Sequence, residues 1–160
     1  MDAVQSKQGG ARVAVPPPLV FLAAVIVAVL VDRFVARWSF PGGIVVRTAV
    51  AAIAIGGALA FGLPAMRLFR RTHQDPKPWE PTPELVFGGP YRFTRNPMYV
   101  GMTLLTIGLG AVAGTLWALP FSLAALGAVH LLAVRPEERY LAAKFGEQYL
   151  QYKARVRRYL

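Results

Sequence analysis

The run NPMYVGMTLLTIGLGAVAGTLWALPFSLAALGAVHLLAV, residues 96–134, contains no Asp, Glu, Lys or Arg. One helix of that length, rising about 1.5 Å per residue, would be roughly twice as long as the hydrocarbon core of a bilayer is thick, so the run must fold back on itself. The turn belongs in the 110–115 stretch, where Gly114 can take a turn conformation, and this predicts helices over 97–112 and 116–134. Two further uncharged runs precede them. One covers 13–31 and is strongly apolar from Leu19 onward, the other covers 48–66, and each is long enough to cross a bilayer as a helix. The expected fold is therefore an all-α membrane protein with about four transmembrane helices.

Composition agrees with lipid as the solvent: 55% of the 160 residues are hydrophobic, more than a soluble domain of this size needs. Lys and Arg number 18 against 8 acidic residues, a formal charge of +10, which raises nucleic acid as a partner. The basic residues sit between the uncharged runs, as membrane-flanking residues do, and form no stripe with interleaved aromatics; no nucleic-acid partner is expected. The absence of cysteine removes disulfides, thiolate metal sites and cysteine nucleophiles, and no metal centre is expected. Four spans place 15 of the 18 basic residues on one side of the membrane and 3 on the other, so the positive-inside rule predicts that both termini are cytoplasmic. A second reading makes 19–31 the apolar core of a signal peptide behind Lys7 and Arg12, but no small-x-small cleavage site follows before Asp32 and Arg33.

Pro76, Pro78, Pro81 and Pro83 make the following linker extended or turning. The expected organisation is an anchor of two helices over 1–66, a cytoplasmic linker over 67–87, and a core over 88–160 with two further spans and a cytoplasmic tail. Beyond 134, RYLAAKFGEQYLQYKARVRRYL reads as two short amphipathic helices broken at Gly146, suited to an interface.

Chemistry concentrates after Leu85. In GGPYRFTRNPMYVG, 88–101, Asn96 is a plausible N-cap and Pro97 suits a first-turn position. A helix start flanked by Arg92 and Arg95 can hold a carboxylate or phosphate, or the arginines only anchor the span to anionic lipid. Gly108, Gly110 and Gly114 let another backbone or a flat ligand approach closely, and helix packing is the plainer use of such a motif. His130 is the sole titratable side chain between Arg95 and Arg135 apart from tyrosine, and an ionisable group in a span suggests function. Glu137 lies two helical turns on and shares its face if the helix runs straight through Pro136, whereas a kink there breaks the register. The plainer reading bonds His130 to Thr103 or Thr106. Glu137 and Glu138 together suit a cationic or polyhydroxyl ligand, or are solvated acids near a helix start.

Taken together, these residues resemble the isoprenylcysteine carboxyl methyltransferase and phospholipid N-methyltransferase superfamily of integral membrane enzymes. The resemblance runs from about Leu85 to Tyr159. The family pattern G-x-Y then R-H-P-x-Y-x-G is met by Gly89, Tyr91, Arg95, Pro97, Tyr99 and Gly101, with Asn96 in the histidine position. The membrane-embedded G-x-G is met by Gly108 and Gly110. The pair E-E followed by L, F-G, Y and Y is met by Glu137, Glu138, Leu141, Phe145, Gly146, Tyr149 and Tyr152. The resemblance implies an S-adenosyl-L-methionine pocket built from the last two spans and the tail. Tyr91, Pro97, Tyr99, Gly101, Gly108, Gly110, His130, Glu137 and Glu138 would form its cofactor surface, and Arg95 and Asn96 would stand at the chemistry. Asn96 can hydrogen-bond but cannot titrate near neutral pH, which leaves the acid-base role of the family histidine open at this position. The same resemblance implies a protein of a bacterial inner membrane, with the lipid bilayer around it and a lipophilic or small amphiphilic methyl acceptor. Two other classes stay open: an NADPH-dependent membrane reductase of sterol-reductase type, and a non-catalytic helical assembly protein.

Overall fold

The computed structural model describes residues 15–71 and 83–160. The start of the first expected span, at 13–14, and the linker prolines Pro76, Pro78 and Pro81 lie outside the described residues. Four apolar helices form: α1 over Pro17–Phe34, α2 over Gly43–Arg71, α3 over Pro97–Ala113 and α4 over Ala118–Val129. Past α4 the chain makes a π-helical turn, His130–Val134, and runs on into α5, Arg135–Phe145; Gly146, with φ +52, then separates α5 from α6, Glu147–Arg155. A short 3₁₀ turn, Gly89–Arg92, precedes α3.

Why the helices stop where they do is local chemistry. Pro16 to Pro18 leave no interior position for a helix before Pro17, so α1 begins with prolines in its first turn, where their missing N–H is not needed. At the other end α1 takes in Asp32, which the sequence places in the connector; its buried carboxylate accepts the Trp38 backbone N–H at 3.0 Å and closes the turn. Gly114, at φ +81, ends α3 in a left-handed cap, and the N–H groups of Gly114 and Thr115 return to Ala111 and Gly110. α2 overruns its expected bounds of 48–66 at both ends. Neither its Arg47 nor Arg67, Arg70 and Arg71 prevents a helix; they only bound the stretch that can sit in lipid.

Three helical stretches, Pro17–Phe34, Gly43–Arg71 and Ala118–Phe145, are long and apolar enough to cross a membrane, and Pro97–Ala113 is a shorter apolar helix. Their outward faces are apolar: Leu19, Leu22, Ile53 and Leu123 are each more than half exposed, the inverse of a soluble bundle. Inside, α2 lies along α3 on small residues, with Ala51, Ala54 and Ala58 buried. Phe21 and Ala24 of α1 meet Ala125, Val129 and Ala133 beside Tyr99 of α3.

The connector after α1 and the α3–α4 turn meet at one end of the bundle, through Phe40 N–H to the Gly114 carbonyl at 3.0 Å and Leu116 N–H to the Trp38 carbonyl at 2.8 Å. Trp117 donates Nε1–H to Ala36 at 2.7 Å and stacks edge-on with Trp38 at 5.2 Å. The 3₁₀ turn, the start of α3, α5, α6 and the tail gather at the other end.

Candidate functional site

At that second end the residues after α6 form an extended strap across the start of α3. Arg95 N–H donates to the Arg157 carbonyl at 2.9 Å, and the Thr94 hydroxyl and the Asn96 amide nitrogen both donate to the Arg158 carbonyl at 3.0 Å. Asn96 does occupy the N-cap position, and its backbone carbonyl accepts from Tyr99 and Val100, but its side chain makes no capping bond. Its Nδ2 is committed to the strap, and the residue also lines the cavity beside it. Tyr152 reinforces the same closure from α6, donating its hydroxyl to the Tyr91 carbonyl at 2.7 Å.

Beside the strap lies a cavity of about 80 Å³, bounded by Tyr91, Arg95, Pro97, Tyr99, Glu137 and Tyr149 among others. Leu85, Val86 and Phe69 close another side, so the end of α2, expected as part of a plain anchor or linker, contributes a wall. Tyr99 and Glu137 stand near one another on the cavity wall. Glu138 stands at the edge: its Oε1 is 3.1 Å from Arg95 Nη1 and accepts from Arg158 Nε at 2.9 Å, while Oε2 accepts from Arg158 Nη2 at 2.9 Å. That fork-to-fork pairing raises the affinity of the Arg158 guanidinium for its proton. Arg95 is the unsatisfied member. Its side chain is 8% exposed, and Nε and Nη1 are buried without a hydrogen bond, Nη1 being close enough to Glu138 for attraction but poorly aimed.

Burial pushes the Tyr149 hydroxyl up to about 12, and burial, followed by Glu137, raises Tyr91. The tyrosines at the cavity therefore remain neutral donors across ordinary pH.

The other expected site residues fall elsewhere. Gly101, Gly108 and Gly110 do not line the cavity. A side chain on Gly108 would lie 2.7 Å from Ile55 Cγ1, one on Gly101 would lie 3.1 Å from the Ala58 carbonyl, and one on Gly110 would collide with Ala118. Their missing side chains are used by packing against α2 and α4. Arg92 is exposed on the far side of the 3₁₀ turn, in a separate depression with Arg155.

His130 also stands outside the cavity, with Nδ1 3.1 Å from the Tyr159 hydroxyl. It bonds neither threonine, because Thr103 and Thr106 donate back to the Tyr99 and Met102 carbonyls of their own helix. The shared face with Glu137 is lost at the π turn, where the Arg135 N–H reaches five residues back to His130. Pro136 has no N–H for the Leu132 carbonyl and its ring would crowd it, and the wide turn relieves both. Since such a turn takes up one residue without net rotation, His130 and Glu137 lie about 120° apart instead of nearly aligned. The sequence reading also missed the role of Arg158. Its only signal was a basic residue in a strongly basic tail.

No curated protein matches the chain. The profile of the phospholipid methyltransferase family matches residues 46–148, from α2 to the first residues of α6. That match takes in every wall of the cavity except the later part of α6, and more than half of the chain. With its apolar helices, the protein is a membrane methyltransferase belonging to the phospholipid methyltransferase family.

Proposed function

We propose that this protein moves a methyl group from S-adenosylmethionine to a lipophilic or small amphiphilic acceptor at the cytoplasmic face of the membrane. The observation that carries the reading is Arg95, a buried cation with unsatisfied donors at the wall of a cavity that also carries Glu137. The donor set fits the cofactor. Arg95 would bind its carboxylate, Glu137 and Glu138 would accept from its amino group and ribose hydroxyls, and the faces of Tyr91, Tyr99 and Tyr149 suit adenine and a sulfonium cation.

When bound, the cofactor supplies an electrophilic methyl group on sulfur that is displaced in line. What the protein adds is position and dryness. Tyr99 stands beside Glu137 on the cavity wall, and Arg158 fixes Glu138 while Arg95 sits beside it. Pro97, Val134 and Leu141 exclude water from the reacting centre. A cavity of about 80 Å³ is below the roughly 300 Å³ at which ligand pockets begin. The cofactor would therefore enter by displacing a wall, and Leu85 and Val86, which lie in no regular element, form the wall with no helical ladder to break. The apolar faces of α3 and α4 leave an approach for an acceptor dissolved in the bilayer.

Binding of radiolabelled S-adenosylmethionine to the protein in detergent, beside NADPH as a competitor class, tests the reading directly. Wild type should bind the first and not the second. Glu137→Gln should raise the cofactor dissociation constant roughly ten- to a hundredfold, the loss of a charge-assisted hydrogen bond. Wild type that binds no S-adenosylmethionine, or a Glu137→Gln variant that binds it unchanged, would overturn the assignment.

A further inference from the structure

Glu138 separates two spaces. On one side is the cavity just described. On the other is a more open basin of about 460 Å³, lined by Leu131, Arg135, Glu138, Arg139, Lys153 and Arg158. It holds four cations and one acid, and the acid is already shared. Both Glu138 oxygens accept from Arg158, and Oε1 also faces Arg95. No ion pair within 4 Å joins Arg135, Arg139 or Lys153 to a carboxylate; Lys153 feels Glu138 only at longer range, and Arg139 reaches the Arg135 carbonyl at 3.4 Å. Four cations around one basin with a single shared acid leave an excess of positive charge that repels itself, and an anion placed among them removes that cost.

The position of the basin identifies the anion. Arg135 is the first charged residue after the apolar run of α4 and the π turn, and Leu131, 57% exposed, forms the wall on the membrane side. A soluble anion would use the cations and leave the leucine idle. A phosphate attached to acyl chains uses both, with its oxygens against the guanidinium groups and its chains running past Leu131 along the exposed apolar face. We infer that this basin is a binding site for the phosphate headgroup of an anionic phospholipid, separate from the cavity and independent of what the cavity binds.

A fluorescent phosphatidylglycerol and a matched phosphatidylcholine, titrated into the protein in neutral detergent and followed by anisotropy, test the site. Wild type should prefer phosphatidylglycerol, and Arg135→Gln with Lys153→Gln should reduce that preference roughly tenfold or more, as two cations near a headgroup imply. The control removes the same two charges elsewhere at this end, Arg92→Gln with Arg155→Gln, both exposed and outside the basin, and should change the preference less than about threefold. Equal losses in the two double variants would mean that only the general positive field attracts the lipid, and would overturn the site. So would displacement of the lipid by inorganic phosphate at about 10 mM, which would mark a soluble-anion site instead. All four of these side chains project to solvent, and a melting curve for each variant guards against a folding defect; Arg139→Gln alone provides a second, milder perturbation of the same basin.

Discussion

The two ends of the bundle use polar groups in opposite ways. At the end formed by the α1–α2 connector and the α3–α4 turn, polar groups are consumed by the fold: Asp32 takes the Trp38 N–H, Thr115 takes the Trp117 N–H, and Trp117 takes the Ala36 carbonyl. At the other end Thr94 and Asn96 do similar work on the strap, yet Arg95 between them keeps buried donors without acceptors. A buried unsatisfied donor costs stability, so its retention beside a cavity sets this end apart from the other, and on the function proposed above it is kept for a ligand.

The sharpest way to break the comparison is Gly110→Leu, which drives a side chain into Ala118 near the closed end. Overpacking there should cost about 3 kcal/mol, read as a large fall in melting temperature in detergent. A variant that melts like wild type but no longer binds S-adenosylmethionine would restore Gly110 to the cofactor surface. Next in size is Asp32→Ala, which removes the buried carboxylate that accepts the Trp38 N–H and closes the turn after α1. It should cost roughly 1–2 kcal/mol of stability with no change in cofactor affinity, since calorimetry at the opposite end senses only the cavity. A changed affinity would show that the two ends are coupled through α3. The smallest effect belongs to Arg158→Gln. Its pair with Glu138 is partly exposed, and solvent screening limits such pairs to about 1 kcal/mol or less. Cofactor affinity should fall only a few-fold while stability changes little, because the bonds from the start of α3 to the Arg157 and Arg158 carbonyls keep the strap in place when the side-chain pair is lost.

Much of this architecture is legible in the sequence because it depends on local signals. Gly114 and the lack of charge over 96–134 place the turn between α3 and α4 to within a few residues, and Pro97 marks the start of α3. The tail's division at Gly146 is equally local. What the sequence does not reveal depends on contacts across long separations. The Thr94 and Asn96 side chains reach carbonyls 64 and 62 residues away, and no periodicity signals an extended strap. The glycines of α3 read the same whether a ligand or a helix fills the space beside them, and only the position of α2 decides between them. The separation of His130 from Glu137 is hidden for a different reason: seven residues count as two turns only while every turn holds the ordinary number.

The π turn at His130–Val134 also sets how the chain tolerates changes in length. Because the wide turn already holds one residue more than a regular helix would, it acts as slack between the membrane-buried part of the helix and the part that carries the two glutamates. A one-residue deletion within α4 would swing everything beyond it by about 100° and carry Glu138 toward the place of Glu137. The same deletion inside the wide turn would straighten the helix and leave α5 close to where it stands, with Pro136 then the only obstacle to a regular ladder. The phase of the lipid-facing surface and the phase of the acidic pair are thus set separately, and either could drift without carrying the other along.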